Sequence, residues 1–261
     1  LKISPDRLDS WELYQKGLWH IYRFTRADTA GSLELFEQAV QANLRFGPAH
    51  AGVSFAHFNN VFLNHTEDRA SEITAAYEAA QRAVECDEQD AAAHWMLARA
   101  FVLRREIAPA ISEFEVAIEL NPSYAHGYYM LAWTLMLSGE PEETLRNIER
   151  AMRLSPHDPL AFAMMGVRSI ALIQLGKFDE SVAWVERAMR QPNVHALIYA
   201  NAALCGGLAG RADVVEMSMS NLRQRRPEYT CANFFKTLPF EKTEHRQLCL
   251  DGLRKAGLRE S

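Results

Sequence analysis

The side chains that most often carry out catalysis or bind metals are present in this sequence, but their spacing does not assemble a site. The four cysteines form no CxxC pair, and the nine histidines show no HExxH motif or other zinc-ligand spacing. Acidic residues occur as adjacent pairs at 67–68 and 142–143, whose side chains would diverge on a helix instead of flanking a substrate. Neither a Gly-x-Ser-x-Gly elbow nor a glycine-rich phosphate loop occurs. We therefore predict no catalytic residues, no metal site and no cofactor, and hence no enzyme in this chain.

Composition narrows the class of partner. A net charge of -5 argues against a nucleic-acid-binding surface, which needs a basic face. The longest apolar run, about residues 128–137, is far shorter than the roughly 20 residues that span a bilayer, and no signal peptide precedes it. Scattered cysteines are typical of a reduced, cytoplasmic protein. Because the sequence begins at Leu1 and not at Met, we expect a fragment of a longer protein, in which a membrane span could precede Leu1.

A regular spacing of small residues predicts the fold. Ala83, Ala117 and Ala151 lie 34 residues apart, and Ala188 follows after 37. This period is typical of helix–turn–helix units that stack into a solenoid. Small residues are needed because two helices approach closely only where no bulky side chain separates them. We therefore predict an all-α fold, a right-handed α-solenoid of about six helical hairpins with a C-terminal capping helix.

The predicted hairpins form a single solenoid domain over residues 1–261. Gly139 and Pro141 supply the end of one helix and the start of the next. The repeats are predicted at about residues 11–47, 48–88, 89–122, 123–156, 157–193 and 194–228. An irregular stretch at 229–242 precedes the cap helix at 243–256, whose polar side would meet water at the end of the array.

This pattern resembles the tetratricopeptide repeat (TPR), whose consensus has small residues at positions 8, 20 and 27 and proline at position 32. In the third repeat these positions hold Ala98, Ala110, Ala117 and Pro122. The consensus tryptophan at position 4 is replaced, in the third repeat by His94. The resemblance implies a module that binds other proteins.

Both ends of the chain are similar to one bacterial TPR subfamily. The matching segments are SWELY at 10–14, RFTR at 23–26, LFEQA at 35–39, LPF at 238–240 and DGLRKAGL at 251–258. Members of that subfamily lie C-terminal to adenylate/guanylate cyclase domains or to winged-helix DNA-binding domains in signalling proteins. The resemblance implies a role in bacterial signal transduction, with any cyclase catalysis in a domain before Leu1.

In the repeat register, positions 2, 5, 9 and 12 of each first helix face inward, on one helical face. Several of them hold aromatic or apolar residues where a plain solvated surface would carry charges. Aromatic residues accompanied by an arginine have the composition of interface hot spots. The candidate partner-binding residues are Trp11, Tyr14, Trp95, Arg99, Val102, His126, Tyr129, Trp133 and Met136. Alternatively, these side chains pack on the adjacent repeat and close the floor of the groove.

Two functions follow from these expectations. In the first, the groove binds a protein segment, or the missing output domain, as the regulatory module of a signalling protein. In the second, the chain is an assembly scaffold that forms a homodimer through this stripe or through Trp11 and Trp19, with no separate ligand. Binding of a peptide's terminal carboxylate, as in co-chaperones, is disfavoured. It needs Lys and Asn at successive inward positions, and Arg99 is the one clear cation at those positions here.

Overall fold

A computed structural model describes residues 5–192 and 194–261, with side chains from residue 9 onward. In this part of the chain the secondary structure consists of fourteen helices and no strand, which confirms the all-α class. The helices are α1 (Pro5–Ile21), α2 (Arg26–Ala42), α3 (Gly47–Phe62), α4 (Arg69–Cys86), α5 (Ala91–Leu103), α6 (Ile107–Leu120), α7 (Ala125–Ser138), α8 (Pro141–Leu154), α9 (Ala161–Gln174), α10 (Phe178–Met189), α11 (Ala196–Ala209), α12 (Ala212–Arg225), α13 (Cys231–Thr237) and α14 (Thr243–Lys255). Within these ranges no helix is both long and apolar enough to cross a membrane.

Helices α1 to α12 follow one another as six helical pairs joined by short turns. The two helices of a pair pack together in α1–α2, α3–α4, α5–α6, α9–α10 and α11–α12. The contacts divide the chain into two compact units, unit 1 ending at Gly127 and unit 2 beginning at Tyr128. The single-domain assignment stays a prediction, and the repeat boundary at residue 193 lies outside the described residues.

The recurring small residues lie where helices pack together. Ala83, Ala117, Ala151 and Ala188 are all fully buried. In unit 1 the ring of Phe36, on α2, fills the space beside Gly17 and Gly52. A Cβ atom would lie 2.4 Å from the ring at Gly17 and 2.5 Å from it at Gly52. Glycine is therefore required on both α1 and α3, since any side chain would displace the ring.

The turn between α7 and α8 follows the sequence signals. Gly139 has φ +80°, the left-handed conformation that glycine adopts without strain after a helix. Pro141 is the first residue of α8, where its missing N–H removes no helical hydrogen bond.

The C-terminal stretch contains one more helix than the sequence indicates. Residues 231–237 form α13 within the segment expected to be irregular. Its N-terminus has a capping box, in which the Thr230 side chain and the Asn233 side chain each bind the other's backbone N–H.

Helix α14 corresponds to the predicted cap and packs on α11. The two helices meet at glycines: a Cβ atom at Gly207 would lie 2.3 Å from the backbone oxygen of Gly252. This contact brings the two backbones close together.

Candidate partner-binding site

The nine predicted binding residues differ widely in exposure. Trp11 is 51% exposed, and Tyr14 and His126 are half-buried. The other six are buried: Trp95, Arg99, Val102, Tyr129, Trp133 and Met136. Of the nine, Trp11, Tyr14 and His126 retain surface that a partner can contact.

In unit 1, three consecutive first helices bring aromatic rings together around Trp95 of α5. The Trp95 ring stacks on His126 of α7, with 5.2 Å between centroids and 25° between planes. It makes edge-to-face contacts with Phe55 of α3 at 5.8 Å and with Tyr124, in the turn before α7, at 6.0 Å. We call this group the unit 1 aromatic cluster; its members are Tyr14, Tyr22, Phe55, Phe58, Trp95, Arg99, Tyr124 and His126.

Arg99 places a positive charge inside this cluster. Its side chain is 5% exposed, and the guanidinium carbon lies 3.7 Å from the ring centroid of Phe58. The rings of Phe55 and Trp95 lie at 4.4 Å and 4.6 Å. A buried cation loses its hydration, and the negative faces of aromatic rings offset part of that loss. The three rings also fix the direction in which the guanidinium presents its N–H groups.

Tyrosine hydroxyls add hydrogen-bonding groups to the cluster. Burial, with repulsion from Tyr22 and Asp90, raises the pKa of Tyr14 to about 12. The pKa of Tyr124 is also well above its ordinary value, first through burial and then through Tyr22 and Asp90. Both phenols therefore keep their protons at neutral pH and remain able to donate hydrogen bonds.

The indole N–H of Trp95 is an unsatisfied donor. It is buried and has no hydrogen-bond acceptor among the described residues. A buried donor without an acceptor destabilises a protein by about 1–3 kcal/mol.

Trp11 connects the cluster to the surface of unit 1. Its ring lies 5.8 Å from that of Tyr14 and 6.2 Å from that of Phe46. Tyr14 in turn contacts Phe36 at 5.8 Å and Phe46, edge to face, at 5.7 Å. These contacts hold Tyr14 and Trp11 in fixed orientations, which lowers the entropy lost when a partner binds them.

In unit 2, the chain's own C-terminal segment lies against the end of α7. The N–H of Glu241 donates to the carbonyl of Leu137 at 2.9 Å. The ammonium of Lys242 donates to the carbonyl of Gly139 at 2.6 Å. The amide of Gln174, on α9, contacts the carbonyl of Met136 at 2.8 Å and His245 at 3.2 Å. The end of α7 around Met136 is thus already hydrogen-bonded by α9 and by the C-terminal segment of the same chain.

Four members of the cluster were not among the predicted residues: Tyr22, Phe55, Phe58 and Tyr124. Phe55 and Phe58 lie on α3, whose sequence is apolar on most sides, so its periodicity does not single out one face. Tyr124 precedes its helix, where the repeat register assigns no inward position. The apolar composition of α3 is the one signal that indicated Phe55 and Phe58.

A tetratricopeptide repeat family model matches residues 66–125 and 129–194. No curated protein sequence matches the chain.

Among solved structures, PilF of Pseudomonas aeruginosa is similar over 88% of this chain and 97% of its own, with a TM-score of 0.59 and 12% identity. A thermophilic TPR protein of Thermus thermophilus is similar over 82% of this chain and 98% of its own, with a TM-score of 0.59 and 16% identity. The Cut9–Hcn1 assembly gives a TM-score of 0.64 at 12% identity, over 98% of this chain and 46% of the other. Such low identities show the fold alone, and they confirm an α-solenoid.

Proposed function

We propose that this protein, whose residues 66–125 and 129–194 are tetratricopeptide repeats, uses unit 1 to bind a segment of a partner protein. Tetratricopeptide repeats generally serve as protein-interaction modules and not as catalysts, because stacked hairpins present a long continuous surface. The observation that carries the proposal is the unit 1 aromatic cluster, in which a buried arginine lies against Trp95 and the ring of Trp95 stacks on the partly exposed His126.

In the proposed site Trp11, Tyr14 and His126 contact the partner, and Trp95, Arg99 and Val102 form its buried part. Partly exposed rings that are already ordered supply contact area at low entropic cost, as interface hot spots do. The positive charge of Arg99 favours a segment that carries carboxylate oxygens. Tyr129, Trp133 and Met136, which lie in unit 2, stay a prediction.

We further propose that the module belongs to a bacterial signalling protein and acts in the cytoplasm. The similarity of residues 10–14 and 251–258 to the repeats that follow cyclase or winged-helix domains supports this assignment. On this proposal, the partner is either another protein or the output domain of the same polypeptide. Binding in unit 1 would then regulate that domain.

The test starts from a library of random peptides displayed on phage and selected on the purified protein. A selected peptide is synthesised, and its dissociation constant is measured for the parent protein and for Arg99→Met. Methionine keeps most of the side-chain volume and removes the charge, so we expect affinity to fall by about tenfold or more. Arg82→Met, at an exposed arginine on α4, is the matched control and should bind as the parent does.

The melting temperatures of both variants establish that each is folded. Equal affinity of parent and Arg99→Met for every selected peptide would remove the cluster from the proposed site. Failure of the library to yield any binding peptide would argue against binding of extended segments altogether.

A further inference from the structure

Helix α1 exposes large apolar side chains on one face. Among the described residues, the large hydrophobic side chains that are most exposed are Trp11 at 51%, Trp19 at 62%, Leu44 at 70% and Met217 at 46%. Two of these four belong to α1, although tryptophan is among the most costly residues to leave in water. The opposite side of α1, with Ser10, Gly17 and Ile21 buried, packs on α2 and α3. The tryptophans therefore lie on the side of α1 that its own hairpin leaves uncovered.

The exposed side chains form two parallel rows along α1. Trp11, Gln15 and Trp19 follow at i, i+4 and i+8, which places them in one row on the helix surface. Beside it, Glu12 and Lys16 form a second row and an ion pair at 2.8 Å. The first row is symmetric about Gln15, with one tryptophan four residues before it and one four residues after it.

We infer that this face of α1 binds the same face of a second copy of the chain, with the two helices antiparallel. A two-fold axis through Gln15 puts Trp11 of one copy against Trp19 of the other, twice. Both rings of each pair then leave water together. Symmetric pairing of one surface with itself is the commonest way in which soluble proteins form dimers.

The charged row determines the direction of pairing. Along the helix axis, Glu12 lies about 4.5 Å from Gln15 and Lys16 about 1.5 Å, on opposite sides of it. In the antiparallel pair, Glu12 of one copy therefore lies about 3 Å along the axis from Lys16 of the other, on the same flank. Parallel helices would carry the two charged rows to opposite flanks. Only the antiparallel arrangement brings opposite charges together across the interface.

The area involved predicts a weak dimer. A tryptophan buries about 150–250 Å² when fully covered, and these rings are about half exposed, so the four rings remove about 400 Å² from water. With the flanking side chains the total reaches about 1,000 Å², near the lower limit for a specific interface. We therefore expect a dissociation constant of about 1–100 µM.

The first experiment is sedimentation equilibrium from about 1 µM to about 500 µM, a range that brackets this constant. The expected result is a monomer–dimer equilibrium that Trp19→Ser weakens by at least tenfold. Met217→Ser, which removes an exposed apolar side chain from unit 2, is the matched control and should dimerise normally. A monomer at every concentration, or a Trp19→Ser variant that dimerises like the parent, would overturn the inference.

The second experiment tests the orientation. Glu12→Lys leaves two lysines in the charged row and Lys16→Glu leaves two glutamates, so each variant alone should dimerise more weakly than the parent. Mixed in equal amounts, they should form a heterodimer, because each lysine then faces a glutamate of the other copy. The ion pair within the helix is broken in both variants, so recovery on mixing must come from contacts between chains. If mixing restores nothing, the antiparallel pairing is wrong.

The dimer and the proposed partner site can be separated. Trp11 belongs to both surfaces, so peptide affinity is measured at protein concentrations well below the dimer's dissociation constant. Under that condition Glu12→Lys and Lys16→Glu change no residue of the proposed site and should leave peptide affinity unchanged. Arg99→Met, in turn, should leave dimerisation unchanged. Each proposal can therefore fail while the other stands.

Discussion

Replacement of Gly207 by alanine should loosen the C-terminal helix, because the obstacle there is backbone. The added Cβ atom would lie 2.3 Å from the carbonyl oxygen of Gly252 and 3.2 Å from the backbone nitrogen of Ala256. A flexible side chain could rotate away from such an atom, whereas a helix backbone can only move as a whole. Helix α14 must therefore shift away from α11, and part of the contact between them is lost.

The magnitude follows from two opposing terms. Alanine inside a helix is favoured over glycine by about 0.8–1.0 kcal/mol. Overpacking costs about 1–3 kcal/mol, and a clash with backbone belongs at the upper end of that range. The difference is a loss of about 1–2 kcal/mol in the free energy that holds α14 on α11.

The assay is chemical labelling of thiols, read by mass spectrometry. Cys249 on α14 is fully buried, and burial raises the pKa of its thiol, so it should react slowly in the parent protein. In Gly207→Ala we expect Cys249 to react about 5–30 times faster, the factor that corresponds to about 1–2 kcal/mol. Urea unfolding followed by circular dichroism should show the same loss of stability.

Gly31→Ala is the matched control. Gly31 lies inside α2, and apart from its own stretch of helix no atom lies within 4 Å of the position its Cβ would occupy. The same substitution should therefore raise stability there by about 0.5–1 kcal/mol. If Gly207→Ala also stabilises the protein, or leaves Cys249 unreactive, the close approach of α11 and α14 does not hold these helices together as argued.

Three further predictions concern other parts of the chain. Phe36→Ala removes the ring that fills the space beside Gly17 and Gly52, and should lower the unfolding free energy by about 3–5 kcal/mol in a urea titration; a loss below about 1 kcal/mol would contradict this role. In the native protein Cys86, the one cysteine that is not buried, should react first with a thiol reagent at about pH 8, and faster labelling of a buried cysteine would refute the packing. Burial depresses the pKa of His245 below its ordinary value of 6.5. Near that pH the unfolded state therefore binds more protons than the folded state, and the free energy of unfolding should fall as the pH drops below about 6.5. The pH dependence of thermal unfolding between about pH 7.5 and about pH 5 should be smaller in His245→Gln, and an unchanged dependence would exclude this group.

The fold could be predicted because its signals are local and repeated. Ala83, Ala117 and Ala151 recur with the period of the hairpin, and each is fully buried where helices pack. Gly139 and Pro141 mark a turn through their own backbone preferences. The short α13 was missed because seven residues are too few to show helical periodicity, although its Thr230 cap could be read from the sequence.

For the candidate site, the sequence indicates residue types but not how far each side chain is exposed. Its register identifies Trp95 and Arg99 as inward residues, yet their burial depends on rings of other helices, such as Phe55, which lies 40 positions earlier than Trp95. The contact between Glu241 and Leu137 joins positions more than a hundred residues apart. No local pattern encodes such pairings, because they arise only when the hairpins are assembled.

Position in the array decides what an inward aromatic residue can do. Trp95 has ring neighbours from both adjacent first helices, Phe55 from α3 and His126 from α7, and is 3% exposed. Trp11 lies on α1, which has a following first helix but none before it within the described residues, and it is 51% exposed. The same residue type therefore stabilises the interior of unit 1 in one case and remains available for association in the other. On this reasoning, a second copy should be sought first at the exposed tryptophans of α1, the first helix of the array.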